Sequence, residues 1–212
     1  MQLGTLAAAW RYPVKSLRAE PLSRAAIDAD GLAGDRTGAL VVATPTHARA
    51  GKTYRGKESP RLHLTDDPLA AVAGAAADGV AVAVDRSAPR WFDAGDVSLL
   101  LDLWVHDVEA LVGEPLDPLR WRPNLYVTAA PGVELREPDL VGATLAVGSA
   151  RLRVVATIER CVTTTYDVAT GASNPAVLRE VAQRRDNVVG VYCAVVAPGE
   201  VAVGDAVTLA FP

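Results

Sequence analysis

The feature that most restricts the fold of this chain is its succession of short β-prone runs, separated by segments that contain Gly, Pro or Asp. The runs occupy residues 39–44, 79–85, 124–129, 150–159, 190–196 and 206–211. Short strands at this frequency are typical of a β-barrel or a β-sandwich. We therefore expect a mainly β fold with a few helices.

Two segments predict helices within this β pattern. The stretch 96–113, DVSLLLDLWVHDVEALVG, contains a helix whose first and last residues the pattern does not fix. The stretch 174–185, NPAVLREVAQRR, is clearer, because Asn174 is a good N-cap, Pro175 suits the first helical position and two arginines follow at the negative helix end. The alanine-rich stretch 68–79 is either a short helix or a loop.

Composition and charge limit the function classes. The chain has 212 residues, of which 50% are hydrophobic, so it can form a core as one domain or as two small interleaved domains. Its longest apolar stretches are too short to cross a bilayer and no basic residue precedes the first of them, so we expect a soluble cytoplasmic protein that does not enter a membrane. The net charge of -4 disfavours general binding to nucleic acid or to anionic membranes, and any basic site must therefore be local.

The motifs of several large enzyme classes are missing from the sequence. It contains no phosphate-binding glycine loop of the nucleotide hydrolases, no GxGxxG motif after a strand and no GxSxG nucleophile motif. The three histidines, His47, His63 and His106, lack the spacing of zinc ligands. We therefore expect neither these enzyme classes nor a histidine-based metal site.

Cys161 stands in the polar segment RCVTTTYDVATG, directly after the β-prone run 150–159. A buried face for this run is predicted at alternate positions: Leu152, Val154, Ala156 and Ile158. Continued alternation places Cys161 with the polar residues. The neighbouring Arg160 and the following threonines favour a thiolate, which is a good ligand for a soft or high-valent metal. The plainer alternative is a small buried residue at a strand end.

Cys193 is expected to be an inert core thiol. In VVGVYCAVV it shares the parity of Val189, Val191 and Val195, and free cysteine is among the most buried residue types. Two thiols in a cytoplasmic chain are expected to stay reduced, so we predict no disulfide between Cys161 and Cys193.

Two short motifs near the N-terminus offer cationic side chains to an anion. Lys15 and Ser16 follow the extended segment YPV, and an ammonium group beside a hydroxyl can hold a phosphate. In GLAGDR, Arg36 follows a turn, and Asp35 either pairs with it or caps the turn. A solvated strand end and an ordinary turn are the plainer interpretations.

A third motif, RWRPNL, places Arg122 directly before Pro123, which should keep Arg122 extended, and Asn124 then opens a strand. An arginine at this place is either a surface residue or a clamp for an oxyanion.

Together these segments resemble the MOSC domain proteins, which are named for the C-terminal region of molybdenum cofactor sulfurases, with their N-terminal β-domain. The motifs YPVKSL, GLAGDRTGALV, RWRPNLYV, RCVTTTYDVATG and NVVGVYCAVVAPGEVAVGDAVTL follow the order of that family. The resemblance implies a MOSC N-terminal-like β-domain at residues 1–90 and a β-barrel-like MOSC core domain at residues 91–212.

The resemblance is to the amidoxime-reducing branch of the family, and it implies the chemistry of the site. Cys161 would be the catalytic residue and the molybdenum ligand. The residues implied to bind the pterin and its phosphate are Lys15, Ser16, Arg36, Arg122, Asn124, Arg160 and Cys161. The implied cofactor is the molybdenum cofactor, and the implied activity is reduction of N-hydroxylated or S-oxidised small molecules. Electrons are expected from a separate protein, of the ferredoxin type or a cytochrome or flavin reductase, because no fused ferredoxin segment is present.

The sequence departs from the family pattern in two places. Thr37 and Gly38 follow GDR where many relatives carry an aromatic residue. The stretch 47–63, HARAGKTYRGKESPRLH, is more basic than in relatives, and it is expected to hold phosphate or to line substrate access. Two other functions stay open: a carrier that holds the cofactor or passes sulfur as a persulfide on Cys161, and a β-domain that has kept the fold without the cofactor. Complete sulfurase activity is disfavoured because the pyridoxal-phosphate domain is missing.

Overall fold

Most of the regular structure is β-strand, as the sequence predicts. The structure is a computed structural model and describes residues 1–44, 51–92 and 94–210. Its strands are β1 Gln2–Arg11, β2 Glu20–Leu22, β3 Arg24–Asp28, β4 Gly31–Leu32, β5 Ala39–Thr44, β6 Ala81–Asp85, β7 Val97–Leu101, β8 Leu125–Ala129, β9 Thr144–Val147, β10 Ala150–Glu159, β11 Val188–Ala197, β12 Gly199–Ala202 and β13 Ala206–Ala210. Its α-helices are α1 Pro68–Ala77, α2 Asp102–Val112, α3 Glu137–Leu140 and α4 Pro175–Arg184. Three 3-10 turns occupy Pro60–Leu64, Pro118–Trp121 and Val162–Thr165.

Seven strands form a closed barrel. They run in the order β13, β9, β10, β11, β7, β8 and β1, and β1 pairs with β13 to complete the circle. Every pair is antiparallel except β7 with β8. These two strands are parallel because α2 and the following turn return the chain to the end of the barrel at which β7 begins. The barrel thus includes one strand, β1, from the first residues of the chain. The domain division between residues 90 and 91 stays a prediction.

The main core fills the barrel and the space beneath α2. Its buried side chains include Leu3, Leu6, Leu99, Leu101, Trp104, Leu125, Val127, Leu145, Leu152 and Val191. All five residues of β7 are buried, because both faces of this strand are covered.

The helix predicted within residues 96–113 is confirmed as α2, although it fills only the second part of that stretch. The first part is strand β7, and α2 begins at Asp102, whose Oδ1 accepts hydrogen bonds from the Leu103 and Ala129 main-chain N–H groups at 2.7 and 2.9 Å. Gly113, with φ 84°, ends the helix in the left-handed conformation that favours glycine. A strand buried on both faces lacks the alternation that would have separated it from the helix.

A second cluster of buried residues lies outside the barrel, where α1 packs on the β5–β6 hairpin. It contains Val14, Leu17, Leu40, Val42, Tyr54, Leu62, Ala71, Ala75, Val80 and Val82. The stretch 68–79 is therefore mainly helix rather than loop. Asp67 caps it by accepting a hydrogen bond from the Leu69 N–H at 2.8 Å, and Pro68 occupies the first turn.

Helix α4 agrees with its prediction and β10 departs from its prediction at one residue. Asn174 caps α4 by accepting a hydrogen bond from the Ala176 N–H at 3.0 Å. In β10 the predicted face is buried except at Ala156, which is exposed because the register against β11 shifts between Val154 and Ala156.

Within the part of the chain that the structure describes, no helix combines the length and the apolar character needed to cross a membrane.

Candidate functional site

A cavity of about 300 Å³ lies where the loop after β10 meets the segment between β5 and α1. Six of the seven predicted site residues line it: Lys15, Ser16, Arg36, Arg122, Arg160 and Cys161. Whether they bind a cofactor stays a prediction.

Asn124 is not among the lining residues, and it holds together the strand ends behind the cavity. Its Oδ1 accepts hydrogen bonds from the N–H and the Oγ of Ser98 at 3.0 and 2.9 Å, and its Nδ2 donates to the Trp10 carbonyl at 3.2 Å. The same Oδ1 lies 3.4 Å from Nη1 of Arg36. Asn124 therefore acts on the cavity through the strands and through Arg36.

The cavity is strongly basic. In the segments that the structure describes, seven of its lining side chains are cationic: Lys15, Arg36, Arg55, Lys57, Arg120, Arg122 and Arg160. Among the described residues that line it, Glu159 is the only carboxylate. This concentration of positive charge in a chain of net charge -4 favours an anionic ligand.

Residues with strained backbone conformations are concentrated at this cavity. Among the described residues other than glycine, five have positive φ, and three of these line the cavity: Ser16 at 74°, Arg36 at 48° and Arg122 at 54°. Residues held in this region cost free energy and cluster at functional sites.

The predicted extended conformation of Arg122 was wrong. Arg122 ends the 3-10 turn Pro118–Trp121, and its N–H donates to the Leu119 carbonyl at 3.0 Å, so the chain reverses direction immediately before Pro123. This hydrogen bond outweighs the preference that proline imposes on the preceding residue.

Tyr12 is packed against two of the cavity arginines. The guanidinium carbons of Arg122 and Arg36 lie 4.2 and 5.0 Å from the centre of its ring, which is attractive for cations. Its hydroxyl donates to the Pro123 carbonyl at 3.2 Å. Burial raises the pKa of Tyr12 to about 12, although Arg122 and Arg36 act against this shift, so the ring stays neutral.

Asp35 fixes Arg36. Asp35 is fully buried, its Oδ1 accepts a hydrogen bond from the Tyr12 N–H at 2.7 Å, and its Oδ2 pairs with Nη1 of Arg36. The sequence analysis gave two possible roles for Asp35, an ion pair with its neighbour or a cap of the turn. The structure contains the ion pair.

His63 is a cavity residue for which the sequence analysis gave no role of its own, although it ends the basic stretch 47–63. Its Nδ1 lies 3.0 Å from Nη1 of Arg122 and must accept this hydrogen bond, because a guanidinium has only donors. Burial, and then the charge of Arg122, lower the pKa of His63 to about 3, so the imidazole is neutral. A Cβ atom at Gly56 would lie 2.2 Å from Nε2 of His63, so the chain can cover this ring only with glycine there.

The Cys161 loop is held from behind by Arg120. Nη1 of this buried arginine donates to the carbonyls of Thr165 and Thr164 at 2.8 and 3.2 Å. The Thr164 N–H and hydroxyl both donate to the Cys161 carbonyl, at 3.0 and 2.9 Å. The Cys161 side chain is exposed at the cavity, with Sγ 3.3 Å from Oγ1 of Thr163. The alternative of a buried strand-end cysteine was therefore wrong.

Arg160 lies beside Cys161, but its hydrogen bonds go to the main chain. Nε donates to the Val189 carbonyl at 2.7 Å, Nη1 donates to the Trp121 carbonyl at 2.8 Å, and Nη2 also contacts the Val189 carbonyl. Burial lowers the pKa of Arg160 to about 10, which leaves it charged at neutral pH. It therefore places a fixed positive charge at the end of β10.

Part of the basic stretch 47–63 also lines the cavity. Arg55, Gly56 and Lys57 are lining residues, whereas residues 45–50 lie outside the described part of the chain. The unusual basic composition of this stretch was the signal for Arg55 and Lys57. The same stretch ends at His63, but no sequence signal indicated its contact with Arg122, which lies 59 residues away.

The two cysteines should differ sharply in reactivity. Cys193 is fully buried, as predicted, and burial raises its thiol pKa to about 12, whereas Cys161 is exposed. Both are free thiols. We expect iodoacetamide to label only Cys161 in the native protein at neutral pH and both cysteines after denaturation, as measured by mass spectrometry. Cys161→Ser should take no label until it is denatured, and native labelling of Cys193 would contradict its placement.

Comparison with known proteins identifies the family. The model of the MOSC domain matches residues 97–208, and that of the MOSC N-terminal beta barrel domain matches residues 3–90. The chain therefore belongs to the MOSC domain family, whose members are generally associated with the molybdenum cofactor. No curated protein sequence matches the chain.

Solved structures share the fold at low sequence identity. The YUAD protein from Bacillus subtilis is 15% identical, the match covers 96% of this chain and 93% of that protein, and the TM-score is 0.58. A hypothetical protein is 11% identical over 100% of this chain and 70% of its own, with a TM-score of 0.52. At these identities the likeness concerns the fold alone.

Proposed function

We propose that the chain binds the molybdenum cofactor in the Cys161 cavity and acts as an oxidoreductase on N-hydroxylated or S-oxidised small molecules. One observation carries this proposal: in the described structure an exposed cysteine shares a cavity with seven cationic side chains and a single carboxylate. A pyranopterin dithiolene with its phosphate calls for a protein thiolate near the metal and for cations around the phosphate. The donor set of the cavity fits both requirements.

Two residue groups would have different roles in cofactor binding: one would bind the phosphate and the other would hold the arginines in position. Lys15 and Ser16, both buried, would hold the phosphate together with Arg36 and Arg122. Asp35 and Tyr12 would keep those two guanidinium groups in place. Because these contacts already exist in the protein, the side chains would lose little further conformational entropy when the ligand binds.

Cys161 would ligate the metal as a thiolate. Arg120 fixes the loop main chain and Arg160 supplies a nearby positive charge, so the sulfur would be presented from a rigid support. When bound, the cofactor would supply a two-electron redox centre that exchanges an oxygen atom.

Reduction of an N-hydroxylated substrate consumes two electrons and two protons, breaks the N–O bond and releases water. The exposed position of Cys161 would let a substrate reach the site from solvent, and solvent would supply the protons. We propose that a separate electron-transfer protein, of the ferredoxin type or a cytochrome or flavin reductase, supplies the electrons.

The exposure of Cys161 also favours a second candidate, a carrier that hands the cofactor or a persulfide sulfur to an acceptor protein. The two candidates differ in turnover, since a carrier completes no reduction of its own.

The test is reduction of benzamidoxime and of a sulfoxide by metal-loaded protein, with reduced methyl viologen as the electron source. We expect benzamidine to appear with the oxidation of two viologens, and we expect no product from Cys161→Ser. Loaded wild-type protein that yields no product from either substrate class would contradict the oxidoreductase and favour the carrier.

A further inference from the structure

We propose that Arg55 and Lys57 form a second anion subsite at the mouth of the cavity, which takes a carboxylate or phosphate group. The inference rests on the proposed function for the identity of the main ligand. Neither residue belongs to the motifs that assign cofactor ligands, and both come from the basic stretch that departs from the family pattern.

Arg55 has a buried donor without an acceptor. Its Nε is inaccessible to solvent and has no hydrogen-bond partner among the described residues. A buried N–H group without an acceptor is costly, and a ligand oxygen that reached Nε through a small shift of the Arg55 side chain would remove that cost. The nearby carboxylate of Glu58 accepts instead from the Arg55 main-chain N–H at 2.8 Å, and it reaches Nη2 only at 3.5 Å.

The main chain around the two cations is already ordered. The Glu58 N–H donates to the Arg55 carbonyl at 2.8 Å, which closes a turn, and Gly56 lies directly against the ring of His63. His63 accepts its hydrogen bond from Arg122 and carries no charge near neutral pH, so it adds no further positive charge beside the segment. The turn therefore presents both cations to the cavity, with Arg55 held by a long ion pair to Glu58 at 3.5 Å.

The position of the subsite favours a substrate group as its ligand. Lys57 and Cys161 are exposed, whereas Lys15 and Ser16 are 9% and 7% exposed, so the first pair lies at the mouth and the second at the base. An anion bound by Lys57 would then lie on the side from which a substrate approaches Cys161. The anion at this subsite could instead be the cofactor phosphate, and the experiment distinguishes the two.

The experiment compares wild type with Lys57→Gln, Arg55→Gln and the matched control Lys52→Gln, whose lysine is exposed in the same segment but does not line the cavity. Each protein is purified from a host that makes the molybdenum cofactor. Pterin per protein is measured first, and the loaded protein is then titrated calorimetrically with inorganic phosphate. We expect Lys57→Gln and Arg55→Gln to retain pterin and to bind phosphate about tenfold more weakly, with Lys52→Gln unchanged. Wild-type affinity should fall as salt is added.

Other outcomes overturn the proposal. Loss of pterin from Lys57→Gln would assign the subsite to the cofactor phosphate and would overturn the substrate assignment. Wild-type pterin and phosphate affinity in Lys57→Gln would overturn the subsite itself, and this exposed position settles the matter even if Arg55→Gln fails to fold. If wild type binds no cofactor, the proposed function fails separately, and the same phosphate titration of the cofactor-free proteins still tests the subsite.

Discussion

Asp35→Asn is expected to lower the free energy of unfolding by about 3 kcal/mol, because it breaks an ion pair whose carboxylate is fully buried. The amide oxygen could still accept from the Tyr12 N–H, but the amide nitrogen would face the donors of Arg36, whose charge would lose its partner. The variant should also release Arg36 from the cavity wall, and so weaken any anion bound there. Urea unfolding gives the stability change, and phosphate titration gives the change in binding.

The matched control is Glu20→Gln, which makes the same chemical change in the half-exposed pair with Arg11. Exposed pairs contribute little, so we expect a loss below about 1 kcal/mol. Equal losses in the two variants would mean that Asp35 does not fix Arg36 as a buried counter-ion.

Acid should destabilise the protein through His63. Its pKa is about 3 in the folded protein against an ordinary value of 6.5, so between these values the unfolded chain binds a proton that the folded protein excludes. Stability from this group is therefore complete above pH 6.5 and is lost as the pH falls towards 3. The slope approaches about 1.4 kcal/mol per pH unit, which amounts to about 2 kcal/mol between pH 7.5 and pH 5.

The measurement compares urea unfolding of wild type and His63→Gln at pH 7.5 and pH 5. Glutamine does not titrate, so the stability difference between the two proteins should shift by about 2 kcal/mol in favour of the variant at the lower pH. His106→Gln, which alters an exposed histidine, should follow wild type at both values. A pH-independent difference between wild type and His63→Gln would show that His63 is not buried in the neutral form.

The sequence could predict the strands that alternate or that are rich in β-branched residues, since these patterns are local. It could not separate β7 from α2, because a strand covered on both faces shows only a continuous apolar run. Nor could it show that β1 closes the barrel, because that depends on pairing with β13 some 200 residues along the chain.

The candidate site shows the same division between local and distant information. Motifs in separate segments named Lys15, Arg36, Arg122 and Cys161, and the fold brings them to one cavity. The left-handed conformation of Arg122 depends on a turn that outweighs the effect of the following proline. The neutral state of His63 depends on burial and on a distant arginine, and neither is visible in a local pattern.

The central claim is that this cavity binds the molybdenum cofactor through Cys161. The most direct measurement is the molybdenum and pterin content of wild type and Cys161→Ala, both purified from a host that makes the cofactor. The account predicts near-stoichiometric metal and pterin in wild type and little metal in the variant. Absence of both from wild type, in a host that loads a control enzyme, would contradict it, as would equal metal in the two proteins.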